Sequence, residues 1–200
     1  MNIGIIGRAR VGKDTAGAWL VRERGYQRVA FADALKDAAL RVDPVVQTFA
    51  CGDGCETTEH RLSEVVRWDG WEMAKAIPEV RRLLQELGAA MRQVDPRIWI
   101  HAALTEVNVM NDLGRAAVVT DVRYRNEAEM LRSHGFHLLY IDRPGIPHLV
   151  HESEGALGPE DADYTIINAG SVADLESAVQ LFHKRVYDAE SARHYGRAYE

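Results

Sequence analysis

Five short apolar runs are spread along the chain: NIGII (2–6), RVAFA (28–32), AAVVTD (116–121), FHLLYID (136–142) and YTIIN (164–168). Each has the length of a strand. Most lack strict polar alternation, as expected of strands covered on both faces. Between them, hydrophobic positions recur at helical spacing. Ala16, Trp19, Leu20 and Glu23 give a mostly apolar stripe to a helix from about Lys13 to Arg24, with Gly25 suited to its C-terminal end. Leu35, Ala38, Ala39 and Val42 mark a second, for which Asp33 is the expected cap. Residues 43–77 read as irregular, with a short helix near Arg61–Arg67. Val80, Leu83, Leu84, Leu87 and Met91 then define a clear helix from Pro78. Asp95-Pro96 predicts the start of another, to about Met110. A further helix is expected over Asn126–His134. Ser171 and Asp174 resemble a capping box before a last helix carrying Leu175, Ala178, Val179, Phe182 and Val186. The polar tail from Ala189 is expected to fray.

Strands alternating with helices imply an α/β fold with a parallel sheet and helices on both faces. Ligands of such sheets bind beyond the carboxyl ends of the strands. Those ends are Gly7, Asp33, Asp121, Asp142-Arg143 and Asn168, mostly polar just where an apolar run stops.

The chain of 200 residues is the size of one ordinary domain. Its net charge of −6 argues against wholesale binding of nucleic acid polymers. No apolar run reaches the length of a membrane span. MNIGIIG lacks the basic start and cleavage site of a signal peptide, so a cytoplasmic protein is expected. Cys51 and Cys55 in CGDGC are read as unpaired thiols. A zinc site would need more ligands, and His60 is the only nearby candidate. HLVHESE (148–154) has no trusted metal spacing, and Trp68, Trp71 and Trp99 are read as packing groups.

The chemistry concentrates in GRARVGKDT (7–15). The spacing G-x-x-x-x-G-K, after a strand and at the start of a helix, is that of a phosphate-binding loop. Gly7 and Gly12 permit a tight turn that aims N–H groups at phosphate oxygens. Lys13 reaches the β- and γ-phosphates, and the helix dipole adds positive potential. The usual Ser or Thr after the lysine is displaced by Asp14, with Thr15 one step later. Asp14 has two readings: it holds Mg²⁺ through water, or it is simply a favourable acid at a helix N-terminus. Asp121 likewise reads as a second Mg²⁺-holding acid or a helix cap. Arg81, Gln85, Gly88 and Arg92 share one helical stripe. It reads as a phosphate clamp or a solvated face, and Gly88 suggests close approach of a ligand or another backbone. Arg123 and Arg125 leave a strand end, and Arg8 and Arg10 lie in the loop itself.

Taken together, GRARVGKDT, FADALK (31–36), RLSEVV with GWEMAK (within 61–75), VRRLLQELG (80–88), DPRIWI (95–100), VVTDVRYRNEAE (118–129), IDRPG (141–145), HESE (151–154) and DYTIINAGSVADL (163–175) resemble the phage-type deoxynucleoside monophosphate kinases, a branch of the P-loop kinases. The pieces are collinear and span nearly the whole chain. The resemblance implies a three-layer P-loop kinase fold: a single domain over 1–200 with a five-stranded parallel sheet. It implies a helical monophosphate-binding insertion over about 33–110 and a lid over about 143–162.

It also implies an enzyme transferring the γ-phosphoryl group of ATP, with Mg²⁺, to a deoxynucleoside 5′-monophosphate. Gly7, Arg8, Ala9, Arg10, Val11, Gly12, Lys13, Asp14 and Thr15 would hold ATP, with Arg143 in the lid and Asn168 near the adenine. Asp33, Lys36, Arg81, Gln85, Arg92 and Arg125 would serve the monophosphate. Lys13, Asp121 and Arg123 would stand at the reaction centre, with Asp14 and Asp121 toward the metal. A small nucleotide is then the partner, in the host cytoplasm for a phage-encoded protein. Oligomeric state is not specified, a homodimer being one option. The chain departs from the family at AAMRQ (89–93), where a TEVGR-like stretch is usual, so base preference is not carried over. Two alternatives remain: a small-acceptor kinase such as a dephospho-coenzyme A kinase, suggested by DYTIINAGS, and a non-catalytic nucleotide-binding module. The chain has no N-K-x-D guanine motif.

Overall fold

Asn2–Ile6 forms β1, and every one of its residues is buried. In the computed structural model, which describes residues 1–49, 57–146 and 157–197, with side chains to 193, this strand is the centre of a parallel sheet. The other strands are β2 (Gln27–Val29), β5 (Ala117–Val122), β6 (Phe136–Asp142) and β7 (Tyr164–Ile167), in the order β2-β5-β1-β6-β7. All four pairings are parallel, with Ile3 opposite Val118 on one side and His137 on the other. The helices of the chain are α1 (Lys13–Arg24), α2 (Phe31–Val42), α3 (Leu62–Ala74), α4 (Pro78–Val94), α5 (Ile98–Asp112), α6 (Arg125–Ser133) and α7 (Val172–Arg197). Val45–Phe49 (β3) and Thr58–Arg61 (β4) make a separate antiparallel pair.

By internal contact the chain divides into two compact units, Met1–Phe31 with Ile100–Glu200, and Ala32–Trp99. In the first, strand alternation sends Ile3 and Ile5 to one face of the sheet, where they join Ala16, Trp19 and Leu20 of α1 and Leu175, Val179, Phe182 and Val186 of α7. Gly4 points to the opposite face, toward Leu131 of α6. Helices therefore cover both faces, and the expected three-layer α/β architecture is observed. Among the described residues no helix is long and apolar enough to cross a membrane. The second unit has its own core of Ala39, Val46, Leu62, Val65, Ala74 and Val80, with Leu83, Leu84 and Leu87 packed on it.

Several local expectations are corrected. The run RVAFA does not stay extended to Ala32: β2 stops at Val29 and α2 begins at Phe31. The Phe31 N–H is taken by Asp121 Oδ1 at 2.9 Å, so the helix is capped from a distant strand. Asp33 lies inside the first turn, paired to Lys36 Nζ at 3.0 Å. The described parts of 43–77 hold more regular structure than expected. They contain the antiparallel β3–β4 pair and a longer α3, broken at Gly70 (φ 73°, ψ 169°). The tail after Ala189 does not fray at once: α7 continues to Arg197, and Glu190 Oε1 pairs with His137 Nε2 at 3.0 Å. The capping box at the start of α7 is present, Asp174 Oδ2 accepting from Ser171 N–H and Oγ at 2.8 and 2.7 Å. Those bonds hold the Asp174 carboxyl below its usual range.

Helix α1 lies tightly on the sheet because Gly17 has no side chain. A Cβ there would sit 2.5 Å from Thr120 Cγ2. Gly17→Ala is expected to destabilise the fold by about 1–3 kcal/mol through overpacking. Thr120→Ser, which removes the opposing methyl, should recover most of that loss in the double variant, as read by denaturant titration.

Candidate functional site

The loop between β1 and α1 is shaped by its backbone. Gly7 has φ 148°, Arg10 φ 65° and Gly12 φ 109°. Two of these positions are glycines, for which the left-handed region carries no Cβ penalty. Arg10 is exposed and accepts a conformation that costs an L-residue about 1 kcal/mol or more. Packing adds a second constraint at both glycines. A Cβ on Gly7 would collide with the carbonyl oxygen of Ile141, and one on Gly12 would come within 2.8 Å of Asn168 Nδ2 and of Leu175 Cδ2.

Lys13 opens α1 and turns back across the loop, its Nζ donating to the Gly7 and Arg8 carbonyl oxygens at 2.6 Å each. Gly12 is the N-cap of α1 and no side chain caps it. Asp14 is exposed in the first turn, so its support for the helix is dipolar rather than a capping bond. Arg8 is held on the far side, with Nη2 on Asp142 Oδ1 at 2.7 Å and Nη1 on the Ile146 carbonyl oxygen at 3.2 Å. Asn168, expected near an adenine, is 4% exposed, and its Nδ2 donates to the Val11 carbonyl oxygen at 2.8 Å. Val11 itself is fully buried.

At the end of β5, the Asp121 carboxylate sits at the N-terminus of α2 through Phe31. The cap reading of Asp121 thus has a structural basis, and one carboxylate can serve both a helix start and a cation. Arg123 is exposed on the turn into α6. That turn is fixed by Glu127, 5% exposed, whose Oε2 accepts from the Arg123 and Tyr124 N–H groups at 2.8 and 3.1 Å. Glu127 escaped the sequence reading because the position three residues before it is Tyr, not the Ser or Thr of a capping box. Arg125 is exposed and lies 3.5 Å from Asp161 Oδ1, a solvent-screened pair of small weight. Arg143 is exposed where β6 ends. The lid expected over 143–162 lies in part, residues 147–156, outside the described residues, as do Cys51, Cys55 and all of HLVHESE.

In the second unit, Arg81 and Gln85 are exposed on α4 and Arg92 is partly enclosed. Arg81 Nη2 donates to the Lys75 carbonyl oxygen at 3.3 Å. Gly88 is buried, and the nearest protein atoms to it are side chains. A Cβ would lie 3.2 Å from Leu35 Cδ2 and 3.6 Å from Arg92 Nη1, so the glycine makes room for two side chains. Lys36 Nζ lies 5.8 Å from the centre of the Trp71 ring. Trp99 is buried, whereas Trp68 is 60% exposed and packs edge-on against His60.

Among the described residues, no group of three or more His, Cys, Asp or Glu side chains is placed to hold a metal ion. The carboxylates of Asp14 and Asp121 and the hydroxyl of Thr15 are nonetheless hard oxygen donors of the kind Mg²⁺ takes. That ion is typically held by one or two carboxylates plus substrate phosphates.

A strand, a glycine loop with an inward lysine and a helix, at the carboxyl end of a five-stranded parallel sheet, define a phosphate-binding protein of the P-loop class. The chain belongs to the deoxynucleotide monophosphate kinase family, whose sequence model matches residues 56–179. A putative deoxynucleotide monophosphate kinase of Acanthamoeba polyphaga mimivirus is 28% identical over 183 residues, covering 88% of this chain and 93% of that one. The deoxynucleotide monophosphate kinase of Enterobacteria phage T4 is 30% identical over 105 residues, 50% of this chain and 44% of the phage protein. Among solved structures, a sugar kinase from Janibacter sp. HTCC2649 aligns at 14% identity with TM-score 0.49, over 92% of this chain and 94% of that one. The dephospho-CoA kinase of Campylobacter jejuni aligns at 15% identity with TM-score 0.44, over 94% and 98%.

Because the Ile141 carbonyl fills the only space for a side chain, Gly7→Ala is expected to cost at least about 2 kcal/mol of stability, by strain at positive φ and by displacement of the end of β6. Denaturant unfolding of the variant measures this.

Proposed function

We propose that this kinase transfers the γ-phosphoryl group of ATP to the 5′-phosphate of a deoxynucleoside monophosphate, giving the diphosphate and ADP. The observation that carries this reading is the Lys13-braced loop between β1 and α1 in a chain of this family. We assign ATP to the sheet unit through the loop Gly7–Thr15. The monophosphate is assigned to the helical unit, through Asp33, Lys36, Arg81, Gln85 and Arg92. In this reading the segment about 143–162 is the lid, carrying Arg143.

In the reaction the bond from the γ-phosphorus to its bridging oxygen breaks, and one forms to an oxygen of the acceptor phosphate. That oxygen is already anionic, so no general base is required. Catalysis is positioning and charge neutralisation. Lys13 stands ready for this: its ammonium, now on two loop carbonyls, gains a better partner when anionic phosphate oxygens arrive. Arg123, exposed on a turn fixed by Glu127, is assigned to the charge that develops on the moving phosphoryl group. Asp14 and Asp121 are the residues that would hold Mg²⁺, which when bound neutralises phosphate charge. Asp121 then links that region to the start of α2 through Phe31.

Purified protein with ATP, Mg²⁺ and a panel of monophosphates is expected to form ADP with one or more deoxynucleoside monophosphates. Turnover of dephospho-coenzyme A alone would overturn the assignment in favour of the other small-acceptor kinase. Arg92→Ala should lower kcat/KM for the monophosphate by roughly 10- to 100-fold, the equivalent of one charge-assisted phosphate contact, and leave KM for ATP nearly unchanged.

Asp14 is tested by Mg²⁺ titration at saturating ATP. Since Asp14 makes no capping bond, Asp14→Ala should leave the fold intact and raise the Mg²⁺ concentration for half-maximal rate. Superimposable curves would reduce Asp14 to a dipolar role.

A further inference from the structure

The chain leaves β6 through Arg143-Pro144-Gly145-Ile146. Gly145 has φ 82° and the Ile146 N–H faces the Arg143 carbonyl oxygen at 3.5 Å. Pro followed by a glycine at positive φ is the signature of a type II turn. The turn folds the Ile146 carbonyl back toward Asp142, and both accept from one guanidinium, that of Arg8 in the phosphate loop, at 3.2 and 2.7 Å. The Arg8 and Asp142 side chains are 14% and 30% exposed, so this ion pair is partly shielded from solvent.

Residue 142 reaches the loop a second time. Its carbonyl oxygen accepts from the Asn168 N–H at 2.7 Å, and Asn168 Nδ2 holds the Val11 carbonyl. The loop is thus gripped at Arg8 by the Asp142 side chain and at Val11 by way of its backbone. A carboxylate beside an anion-binding loop opposes the ligand unless its charge is matched, and here Arg8 matches it. Arg8 is in turn held by two protein acceptors at the exit of β6.

We propose that Asp142 is a positioning residue of the phosphate loop, acting through Arg8, and that Arg8 is a tether to the β6 exit turn rather than a phosphate ligand. This rests on reading the loop as the ATP site. The pair lies at the end of a strand, outside the apolar cluster beneath the sheet, so losing it disturbs the loop more than the fold.

The test uses the full chain, with KM for ATP and kcat at saturating monophosphate, ADP affinity by calorimetry, and melting temperature. The proteins are wild type, Asp142→Ala, Asp142→Asn, Arg8→Ala and the Arg8→Ala/Asp142→Ala double variant. Asp142→Ala is expected to raise KM for ATP and Kd for ADP about tenfold, the scale of one charge-assisted hydrogen bond. Its kcat should stay within about threefold of wild type and its melting temperature close to it. Asp142→Asn, which keeps an acceptor, should fall between. The double variant should be no worse than Arg8→Ala, since both changes break one link. An Asp142→Ala protein whose KM for ATP is unchanged or lower would overturn the proposal. So would a double variant in which the two effects add in full, or a loss that only tracks the folded fraction. Failure of the wild-type chain to bind ADP or ATP would reject the loop assignment itself. Normal wild-type binding with Asp142→Ala unaffected would reject this inference alone.

Discussion

The backbone of Gly7 lies directly against the Ile141 carbonyl oxygen, with no space for a side chain between them. That apposition decides where β1 stops being a strand and in which direction the chain turns. On the loop's other flank, Gly12 meets Asn168 and Leu175 with similar closeness. A loop of this kind must expose its amides to an incoming anion and cannot spend them on its own fold. The contacts found around it respect this. Lys13 and Asn168 donate to carbonyl oxygens of the loop, and the loop's own Arg8 donates outward to the Asp142 carboxylate.

The same economy appears at the neighbouring strand. Asp121 joins the end of β5 to the first N–H of α2, and Glu127 closes the turn into α6 on two N–H groups. Each acid stabilises a helix start by a hydrogen bond and by the local dipole. The carboxyl ends of the strands therefore form a rim whose polar groups order one another, as the general placement of ligands in such sheets requires.

The parallel sheet was legible because its strands are covered on both faces and so read as continuous apolar runs, and the loop because its glycine-lysine spacing is set by phosphate geometry. The misreadings have a common origin in partners far along the chain. Nothing near Phe31 announces that Asp121 will take its N–H group and end β2 two residues earlier. TEHR of β4 has no apolar face, since three of its four residues are exposed, so its pairing with β3 left no periodic signal. Gly88 was rightly singled out as a point of close approach, but spacing along α4 could not reveal that Leu35 is the neighbour. Spacing placed Arg8 in the loop and Arg125 at a strand end without showing what either would meet. The fold gives one a partly enclosed pair with Asp142 and leaves the other in solvent.

The central position of β1 also bears on how the chain is made. Its pairing partners are Val118, Val119 and Val122 on one side and Phe136 to Tyr140 on the other, so β1, which precedes all of them in the chain, is satisfied late. Contacts this remote in sequence slow folding, because the intervening chain must close before they form. The unit Ala32–Trp99, with its own apolar core, emerges from the ribosome in the meantime and can settle first. Until β5 appears, NIGII is an apolar segment without a parallel partner, the kind of transiently exposed strand that favours aggregation.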